Sequence, residues 1–493
     1  MTLILMMNYS MNESITKFNA TTTLLPHQQE AVAKLLPTRV GALFMDMGTG
    51  KSRTAIELAR IRQEKIDRVI WLCPVSLKQT IRHEIITHTD CNDDDIVVFD
   101  NKTNTRNIRQ AIWYIIGIES ISSSSRVALT TNHIITEKSL VIVDESSYIK
   151  GHRSMRTQRI THYAKRARYR MILTGTPISQ GVVDLYAQMR FLSPKILGYR
   201  SFYSFANNHL EYSARHKGLI VDSHNTEWIA AKIHPYIYQV TKDECLNLPD
   251  KLYESRYFEL SREQQDYYDE IKKELLLEID IADFTSYLIF QLFTALQQIS
   301  CGFLNRIRTD YAGNTTIELI EMRNERLEIL METIDSIPAT EKIIIWAKYR
   351  YDIQQIHKTL VDEYGEEYCA LFYGDLNEKR RAIEIENFRQ SARFFIATPS
   401  CGGYGLTLNE ARTVIFYNNG FKYSERIQAE DRCHRIGQEH RVTYIDIWSD
   451  AGIDGKIELA LDSKSDAVRA FKEEVDKIKA TNKENLKEMI KKL

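Results

Sequence analysis

The stretch V-G-A-L-F-M-D-M-G-T-G-K-S-R-T-A-I-E-L-A-R, residues 40–60, decides the fold. Its apolar start predicts a buried strand, its glycine-rich centre a tight loop, and its last part an amphipathic helix. This order of elements points main-chain N–H groups and a helix N-terminus at a phosphate group. The sequence therefore predicts a phosphate-binding loop formed by Gly48, Thr49, Gly50, Lys51 and Ser52. Lys51 would reach the β- and γ-phosphates, and the Ser52 hydroxyl would bind Mg²⁺.

Two blocks of the chain, residues 40–176 and 342–449, alternate short apolar runs with helical patterns. Near-continuous apolar strands separated by amphipathic helices are typical of parallel sheets that are covered on both faces. Two such blocks predict an α/β fold with two parallel-sheet domains. The predicted strands are V-G-A-L-F-M, R-V-I-W-L-C, S-L-V-I-V and Y-R-M-I-L-T in the first block, and K-I-I-I-W-A, C-A-L-F-Y, R-F-F-I-A-T, T-V-I-F-Y and V-T-Y-I-D-I-W in the second.

Residues 185–338, between the two blocks, have helical spacing and little clustering of β-branched residues. We predict an all-helical insertion here, with a break at Leu248 and Pro249. The resulting boundaries are an N-terminal extension at 1–23, a first lobe at 24–195, helical insertions and a linker at 196–335, a second lobe at 336–470, and a charged C-terminal helix at 471–493.

The composition, 43% apolar and 27% charged, is that of a soluble globular protein. Lys and Arg total 65 against 66 Asp and Glu, which excludes the overall basicity of a histone-like nucleic-acid binder and leaves a local groove for any DNA contact. The seven cysteines form no C-x-x-C pair, which argues against a zinc ribbon or a disulfide framework. Because neither a signal peptide nor a membrane-spanning run is recognisable, we expect a cytoplasmic protein without membrane contact.

Asp144 and Glu145 follow the apolar strand S-L-V-I-V. A carboxylate at the end of a buried strand, beside a phosphate loop, can hold Mg²⁺ while its neighbour orients or deprotonates the attacking water. The alternative is a helix N-cap, because D-E-S-S would start a helix well. The predicted strand Y-R-M-I-L-T runs into T-G-T-P, residues 174–177. The hydroxyl groups of this segment could bind phosphates; the alternative is that the segment is an ordinary turn.

The stretch Q-A-E-D-R-C-H-R-I-G-Q, residues 428–438, contains Arg432 and Arg435, which would share one face of a helix. Their planar, permanently charged side chains suit phosphate oxygens, so the pair could stabilise the charge on a leaving γ-phosphate. A solvated basic helix is the alternative. The phosphate loop far upstream favours the first interpretation.

The phosphate loop, the Asp-Glu pair, the T-G-T-P segment and the arginine stretch, in this order, resemble the motifs of the Swi/Snf family of helicase-like ATPases within helicase superfamily two. The resemblance covers about residues 24–470. L-P-H-Q, residues 25–28, resembles the adenine-sensing glutamine motif, with Gln28 as the reader. T-P-S-C-G-G-Y-G-L-T-L, residues 398–408, resembles motif V, which places Gly405 among the nucleotide contacts. Residues 428–438 match motif VI at every characteristic position, and H-R-I-G-Q separates this family from most other helicases of the superfamily.

The resemblance implies two RecA-like lobes of the P-loop NTPase type. The first would bind ATP and Mg²⁺, with Ser52 and Asp144 as metal ligands, and the second would supply Arg432 and Arg435. Two departures stand out. Met45 takes the place of an acidic residue of the family's loop, and Ser147 replaces the histidine of the family's Asp-Glu-Ala-His motif. Because that histidine links the nucleotide site to the other lobe in relatives, we expect hydrolysis to survive the change, and the tightness of its coupling to movement stays open.

The resemblance further implies an ATP hydrolase that acts as a double-stranded DNA translocase, grips the DNA backbone without reading sequence, and remodels protein–DNA or branched DNA structures. A protein partner would direct it. The alternatives are a strand-separating DNA or RNA helicase and a nucleotide-controlled scaffold with little turnover. The basic run at 152–170 is either one wall of the DNA groove or a helix face in water. The compact motor favours a bacterial, viral or phage protein over a nuclear remodeller.

Overall fold

The computed structural model describes residues 17–175, 177–178, 181–212, 220–246, 248–278, 286–309, 315–400, 406–468, 470–471 and 474. The chain divides into two compact units, Met1–Asn247 and Leu248–Leu493. Each unit contains one large sheet whose described strands are all parallel.

The sheet of the first unit has seven strands in the order β3-β4-β2-β5-β6-β1-β9. Because all neighbouring strands are parallel, the connections between them are crossovers, and helices form them except between the two strands β3 and β4. The strands are β1 (Val40–Met45), β2 (Arg68–Cys73), β3 (Ile96–Val98), β4 (Trp113–Gly117), β5 (Ser139–Asp144), β6 (Tyr169–Thr174) and β9 (Ile237–Val240). A separate antiparallel pair is formed by β7 (Leu210–Tyr212) and β8 (Ile220–Ser223).

The helices of the first unit connect these strands and cover the sheet. They are α1 (Pro26–Leu35), α2 (Lys51–Arg62), α3 (Lys78–His88), α4 (Ser120–Ser123), α5 (Ser125–Ile134), α6 (Met155–Ala164), α7 (Val183–Leu192), α8 (Pro194–Leu197), α9 (Phe202–His209), α10 (Thr226–Ile233) and α11 (Lys242–Cys245).

The sheet of the second unit has six strands in the order β10-β17-β16-β13-β15-β14. They are β10 (Lys251–Phe258), β13 (Ile343–Trp346), β14 (Cys369–Phe372), β15 (Phe394–Ala397), β16 (Thr413–Phe416) and β17 (Val442–Ser449), while β11 (Phe303–Thr309) and β12 (Thr315–Glu321) form an antiparallel ribbon. The helices are α12 (Arg262–Glu278), α13 (Ser286–Ser300), α14 (Glu325–Asp335), α15 (Arg350–Tyr364), α16 (Glu378–Gln390), α17 (Tyr423–Glu430) and α18 (Gly452–Asp462).

Both large sheets are buried on two faces, as their apolar strands require. Successive side chains of a strand point to opposite faces, so each strand contributes to two separate cores. In β1, Ala42 and Phe44 pack in one core and Leu43 and Met45 in the other. The isoleucines and tryptophan of β13 divide in the same way. The helices on each side therefore hold the sheets rigidly, and the loops at the strand ends are free to carry function.

A buried arginine holds together the centre of the second unit. Arg326 is fully buried and pairs with the carboxylate of Asp454, whose side chain is 1% exposed. Its guanidinium also donates to the carbonyl oxygens of Tyr417 (2.8 Å) and Ile447 (2.5 Å), which follow or belong to neighbouring strands of the sheet. Because all of these groups are out of water, the network depends on every member.

The α/β fold with two parallel sheets is confirmed, and all nine predicted strands are present, with their ends within one residue of prediction. The helical spacing within residues 185–338 corresponds in part to α12 and α13. The domain boundaries stay predictions. The extension at 1–16 and most of the predicted C-terminal helix lie outside the described residues.

The expectation that residues 185–338 are all-helical is wrong, because this region also contains β7 to β12. Two of these strands, β9 and β10, form the outer edges of the two large sheets. An edge strand exposes part of its surface, so polar residues interrupt its apolar run; most residues of β10 are exposed. Such strands lack the continuous apolar pattern by which the central strands are recognised.

Candidate active site

The phosphate loop joins the end of β1 at Met45 to the start of α2 at Lys51. Gly48 and Gly50 adopt left-handed backbone conformations, with φ angles of 77° and 85°. A side chain at Gly50 would also collide with Gln28, because a Cβ atom built there lies 2.1 Å from the Gln28 Nε2 atom. The two glycines therefore allow a tight loop that leads directly into the N-terminus of α2.

The Lys51 side chain lies along the loop. Its Nζ atom donates hydrogen bonds to the carbonyl oxygens of Met45 (2.7 Å) and Asp46 (3.0 Å). The Asp46 carboxylate in turn accepts a hydrogen bond of 3.0 Å from the main-chain N–H of Lys242, at the start of α11. The loop is thus braced by a segment that follows the edge strand β9. The sequence carries no local signal for this contact, because 196 residues separate its two partners.

Helix α1 holds the loop from another side through Gln28 and His27. Gln28 accepts a hydrogen bond from the main-chain N–H of Leu25 (3.0 Å) and donates from Nε2 to the Thr49 carbonyl (3.2 Å). The Nε2 atom of His27 lies 2.8 Å from the same carbonyl oxygen. The structure places Gln28 against the phosphate loop, and its role as an adenine reader stays a prediction. His27 is a loop contact that sequence reasoning missed.

Asp144 ends β5 and lies near the phosphate loop. Its carboxylate accepts hydrogen bonds from the Trp71 indole Nε1 (3.3 Å) and from the main-chain N–H of Glu145 (2.9 Å). Burial, as the largest effect, raises the pKa of Asp144 to about 6, and the negative charge of Glu145 adds to this increase. The positive charge of the Lys51 ammonium opposes it. A divalent cation would offset this unfavourable burial, because it favours the ionised carboxylate.

Glu145 follows in a left-handed conformation, with a φ angle of 51°. Left-handed residues other than glycine are uncommon, and they concentrate at functional sites. The hydroxyl groups of Ser147 and Thr174 each donate to its Oε1 atom at 3.0 Å. A short 3₁₀ helix, Ser146–Ile149, does begin here, but the Glu145 side chain does not cap it. The N-cap alternative therefore does not account for this carboxylate.

Strand β6, which runs into the T-G-T-P segment, also reaches the phosphate loop. Thr174 ends β6 and binds Glu145, while a Cβ atom built on Gly175 would lie 3.4 Å from Cγ of Met47 and 3.5 Å from the Met45 carbonyl oxygen. Strand β6 is paired with both β1 and β5, so it connects the phosphate loop to the carboxylates. The first unit therefore assembles Lys51, Asp144 and Glu145 beside the ends of the adjacent strands β1, β6 and β5.

The arginine segment of the second unit differs from the prediction. Helix α17 ends at Glu430, so Arg432 and Arg435 lie in the turns that follow it and do not share a helix face. The chain turns back because the segment packs against residues 406–411. The Cys433 thiol donates to the Ala411 carbonyl (2.9 Å), and Nη1 of Arg435 donates to the Leu406 carbonyl (3.0 Å).

The end of this segment is held by Gln438 and Gly437. The Gln438 side-chain amide donates to the carbonyl oxygens of Asn409 (3.2 Å) and Ala411 (3.1 Å). Gly437 has a φ angle of 95° and lies against the Asn409 side chain. Arg432 is buried and Arg435 is half-buried. Gly405, the predicted nucleotide contact of motif V, lies outside the described residues.

Many side chains of the basic run at 152–170 are engaged within the first unit. Arg159 donates to the Ile121 carbonyl (2.7 Å), and Arg170 donates to the Phe191 carbonyl (3.2 Å). Arg156 lies over the ring of Tyr148. The first two arginines therefore have structural roles, and the proposed DNA wall would rest on the remaining cations of the run.

A family model described as the SNF2-related domain matches residues 10–302, which is more than half of the chain. The chain belongs to the SNF2 family. A second model, the helicase conserved C-terminal domain, matches residues 325–437 of this SNF2 protein. The resemblance to the Swi/Snf family that was drawn from the sequence motifs is confirmed.

Curated relatives of this SNF2 protein include bacterial helicases. An uncharacterized ATP-dependent helicase of Mycoplasma genitalium is 27% identical over 70% of this chain and 32% of its own length. A candidate ATP-dependent helicase/translocase of Bacillus subtilis is 27% identical over 66% of this chain and 34% of its own length. The chain thus spans about a third of the length of these relatives.

A solved structure, the Sulfolobus solfataricus SWI2/SNF2 ATPase core in complex with dsDNA, is similar at 23% sequence identity with a TM-score of 0.42. The similarity covers 91% of this SNF2 chain and 92% of that chain. Within the described residues, no helix is both long and apolar enough to cross a membrane.

Proposed function

We propose that this chain is a DNA-dependent ATPase that moves along double-stranded DNA and uses ATP hydrolysis to remodel protein–DNA or branched DNA structures. The observation that carries the proposal is the assembly of Lys51, Asp144 and Glu145 beside the ends of strands of one sheet. Lys51 acts electrostatically on Asp144, so a phosphate-binding cation and a metal-binding carboxylate belong to one site. Phosphoryl transfer to water needs this combination.

The residues present fit a nucleotide with Mg²⁺. Gly48 and Gly50 have positive φ angles and carry no Cβ atoms, so main-chain N–H groups of the loop can approach phosphate closely. Ser52, the second residue of α2, and Asp144 offer hydroxyl and carboxylate oxygens, which are ligands that Mg²⁺ prefers. When bound, Mg²⁺ would neutralise charge on the phosphate oxygens.

Glu145 is the group that would orient the attacking water and accept its proton. Lys51 would leave the loop carbonyls to bind the phosphate chain, since a phosphate oxygen offers it a charged partner. Arg432 and Arg435 would stabilise the charge that develops on the leaving phosphate. Arginine residues in this role typically accelerate phosphoryl transfer by about 10³–10⁵.

DNA contacts would come from loops at the carboxyl edge of the first sheet. Two segments, 73–77 and 116–119, lie at the ends of the neighbouring strands β2 and β4, and Glu119 accepts a hydrogen bond of 2.9 Å from the Val75 N–H. Family resemblance supports duplex DNA as the track. With a net charge of −1, binding would rest on local phosphate contacts and would be independent of sequence and sensitive to salt.

The experiment is a steady-state ATPase assay with duplex DNA, single-stranded DNA, RNA and no nucleic acid. We expect the strongest stimulation with duplex DNA, and a loss of that stimulation as salt rises. Stimulation by RNA alone would overturn the duplex-DNA proposal, and a displaced strand in a parallel assay would identify a strand-separating helicase. A nucleotide-bound protein without measurable turnover would indicate a scaffold.

Lys51→Ala is the variant that tests the site. It should abolish turnover, because the phosphates lose their cation. Lys65→Ala is the control, since Lys65 is an exposed lysine that follows α2. Wild-type turnover in Lys51→Ala would contradict the assignment of the phosphate loop.

A further inference from the structure

The carboxylate of Glu145 is held by two hydroxyl groups from two different elements. Ser147, in the 3₁₀ turn after β5, and Thr174, at the end of β6, each donate to Oε1 at 3.0 Å. Within the described residues, no group donates to the other oxygen, Oε2. The two hydroxyls therefore fix the carboxylate at one oxygen and leave the second for a water molecule.

The local backbone makes the Ser147 contact possible. Glu145 has a φ angle of 51°, and its carbonyl accepts a hydrogen bond of 3.0 Å from the Tyr148 N–H, which closes the turn. In this turn the side chain of Ser147 reaches back to the residue two positions before it. Short hydroxyl side chains form such local hydrogen bonds readily. The contact thus depends on a small side chain at position 147.

We propose that Ser147 is a positioning residue for Glu145, and that it acts together with Thr174. This proposal rests on the proposed function, in which Glu145 orients the attacking water. Ser147 occupies the position where the Swi/Snf motif has histidine, so its role here is local: it orients the carboxylate within the first unit. Hydrolysis then relies on two hydroxyl groups, one from the turn after β5 and one from the end of β6, and these two strands are adjacent in the sheet.

The test compares Ser147→Ala and Ser147→Thr in the full chain. Ser147→Ala removes one hydrogen bond to a charged group, so kcat should fall roughly tenfold or more. KM for ATP and the Kd of a fluorescent ATP analogue should stay within about twofold of wild type, because the nucleotide-binding groups are untouched. Ser147→Thr keeps the hydroxyl and should recover most of kcat. Tyr148→Phe, which removes a hydroxyl from the same turn, is the matched control and should leave kcat unchanged.

A double-mutant cycle tests the joint action of the two hydroxyls. Ser147→Ala and Thr174→Val should not combine multiplicatively in kcat, because both act on one carboxylate oxygen. Wild-type kcat in Ser147→Ala, or an equal loss in Ser147→Thr, would overturn the proposal. A loss in Ser147→Ala that appears only in KM would do the same.

Glu145→Gln separates this inference from the proposed function. If Glu145→Gln abolishes turnover while Ser147→Ala is unaffected, the positioning role alone fails. If Glu145→Gln hydrolyses ATP at the wild-type rate, Glu145 is not the water-orienting group and both proposals fail. Failure of the wild-type protein to hydrolyse ATP under any condition has the same consequence.

Discussion

The side-chain amide of Gln28 occupies the space beside the α-carbon of Gly50. A Cβ atom at Gly50 would lie 2.1 Å from Gln28 Nε2, and Gly50 also has a φ angle of 85°. Gln28 donates to the Thr49 carbonyl at 3.2 Å, so displacement of its side chain would release the loop as well. Helix α1 and the phosphate loop therefore pack closely against each other where Gln28 meets Gly50.

Gly50→Ala should weaken ATP binding by at least tenfold, because it combines backbone strain with a collision that moves Gln28. Gly198→Ala is the matched control. Gly198 has a similar φ angle of 74°, but among the described residues, its chain neighbours aside, no atom lies within 4 Å of the added methyl group. Both variants should lose similar amounts of stability from strain, and only Gly50→Ala should lose nucleotide affinity in an equilibrium binding titration. Equal affinity in the two variants would contradict the fitted contact.

Asp144→Asn should stabilise the nucleotide-free and Mg²⁺-free protein at pH 8. Because burial raises the pKa of Asp144 from 3.8 to about 6, its ionised form is disfavoured in the fold. Its contribution to stability is therefore fully present below about pH 4 and is lost as the pH rises through about 6. The gain in the free energy of unfolding at pH 8 should be at most about 3 kcal/mol, and it should vanish at pH 4. Denaturant unfolding at both pH values measures it.

Asp94→Asn provides the comparison for this pH dependence, since Asp94 is an exposed residue of the same unit. It should leave the unfolding free energy nearly unchanged at both pH values. A loss of stability in Asp144→Asn at pH 8 would mean that the charged carboxylate is favoured by its neighbours and that the burial argument is wrong.

Arg435→Ala should lower kcat by about 10³ or more while sparing ATP binding. The reason is that its proposed role appears only as charge develops on the leaving phosphate. Arg441→Ala controls for the loss of a cation in the same unit, because Arg441 is 67% exposed and pairs only loosely with Asp250, at 3.6 Å. Retained ATPase activity in Arg435→Ala would remove this arginine from the proposed site.

Arg326→Met should destabilise the second unit by about 3–5 kcal/mol, because it leaves the buried Asp454 carboxylate without its cation. Arg323→Met is the control. Arg323 is 66% exposed and pairs with Glu328 on the surface, so its loss should leave the unfolding midpoint nearly unchanged. Equal unfolding midpoints for the two variants would contradict the central role of the buried pair.

Sequence patterns were sufficient for most of the strands that are buried on both faces, although β4, which is fully buried, was not among the predicted strands. An apolar run such as that of β1 fits few structures other than a buried strand. The glycines of the following loop are required because the backbone there adopts positive φ angles. The edge strands β9 and β10 were not predictable in this way, because partial exposure allows polar residues. The end of α17 before Arg432 was also missed, since packing of Cys433 and Gln438 against residues 406–411 ends the helix.

The sequence by itself determined the two parallel sheets, the phosphate loop and the family, because these depend on local periodicity and on short motifs. Only the tertiary structure decided which groups surround the loop: Gln28 and His27 from α1, and the N–H of Lys242 from the segment after β9. It likewise decided that Ser147 and Thr174 meet on one oxygen of Glu145. Hydrogen bonds between residues far apart in the chain leave no periodic signal, since folding alone brings their partners together.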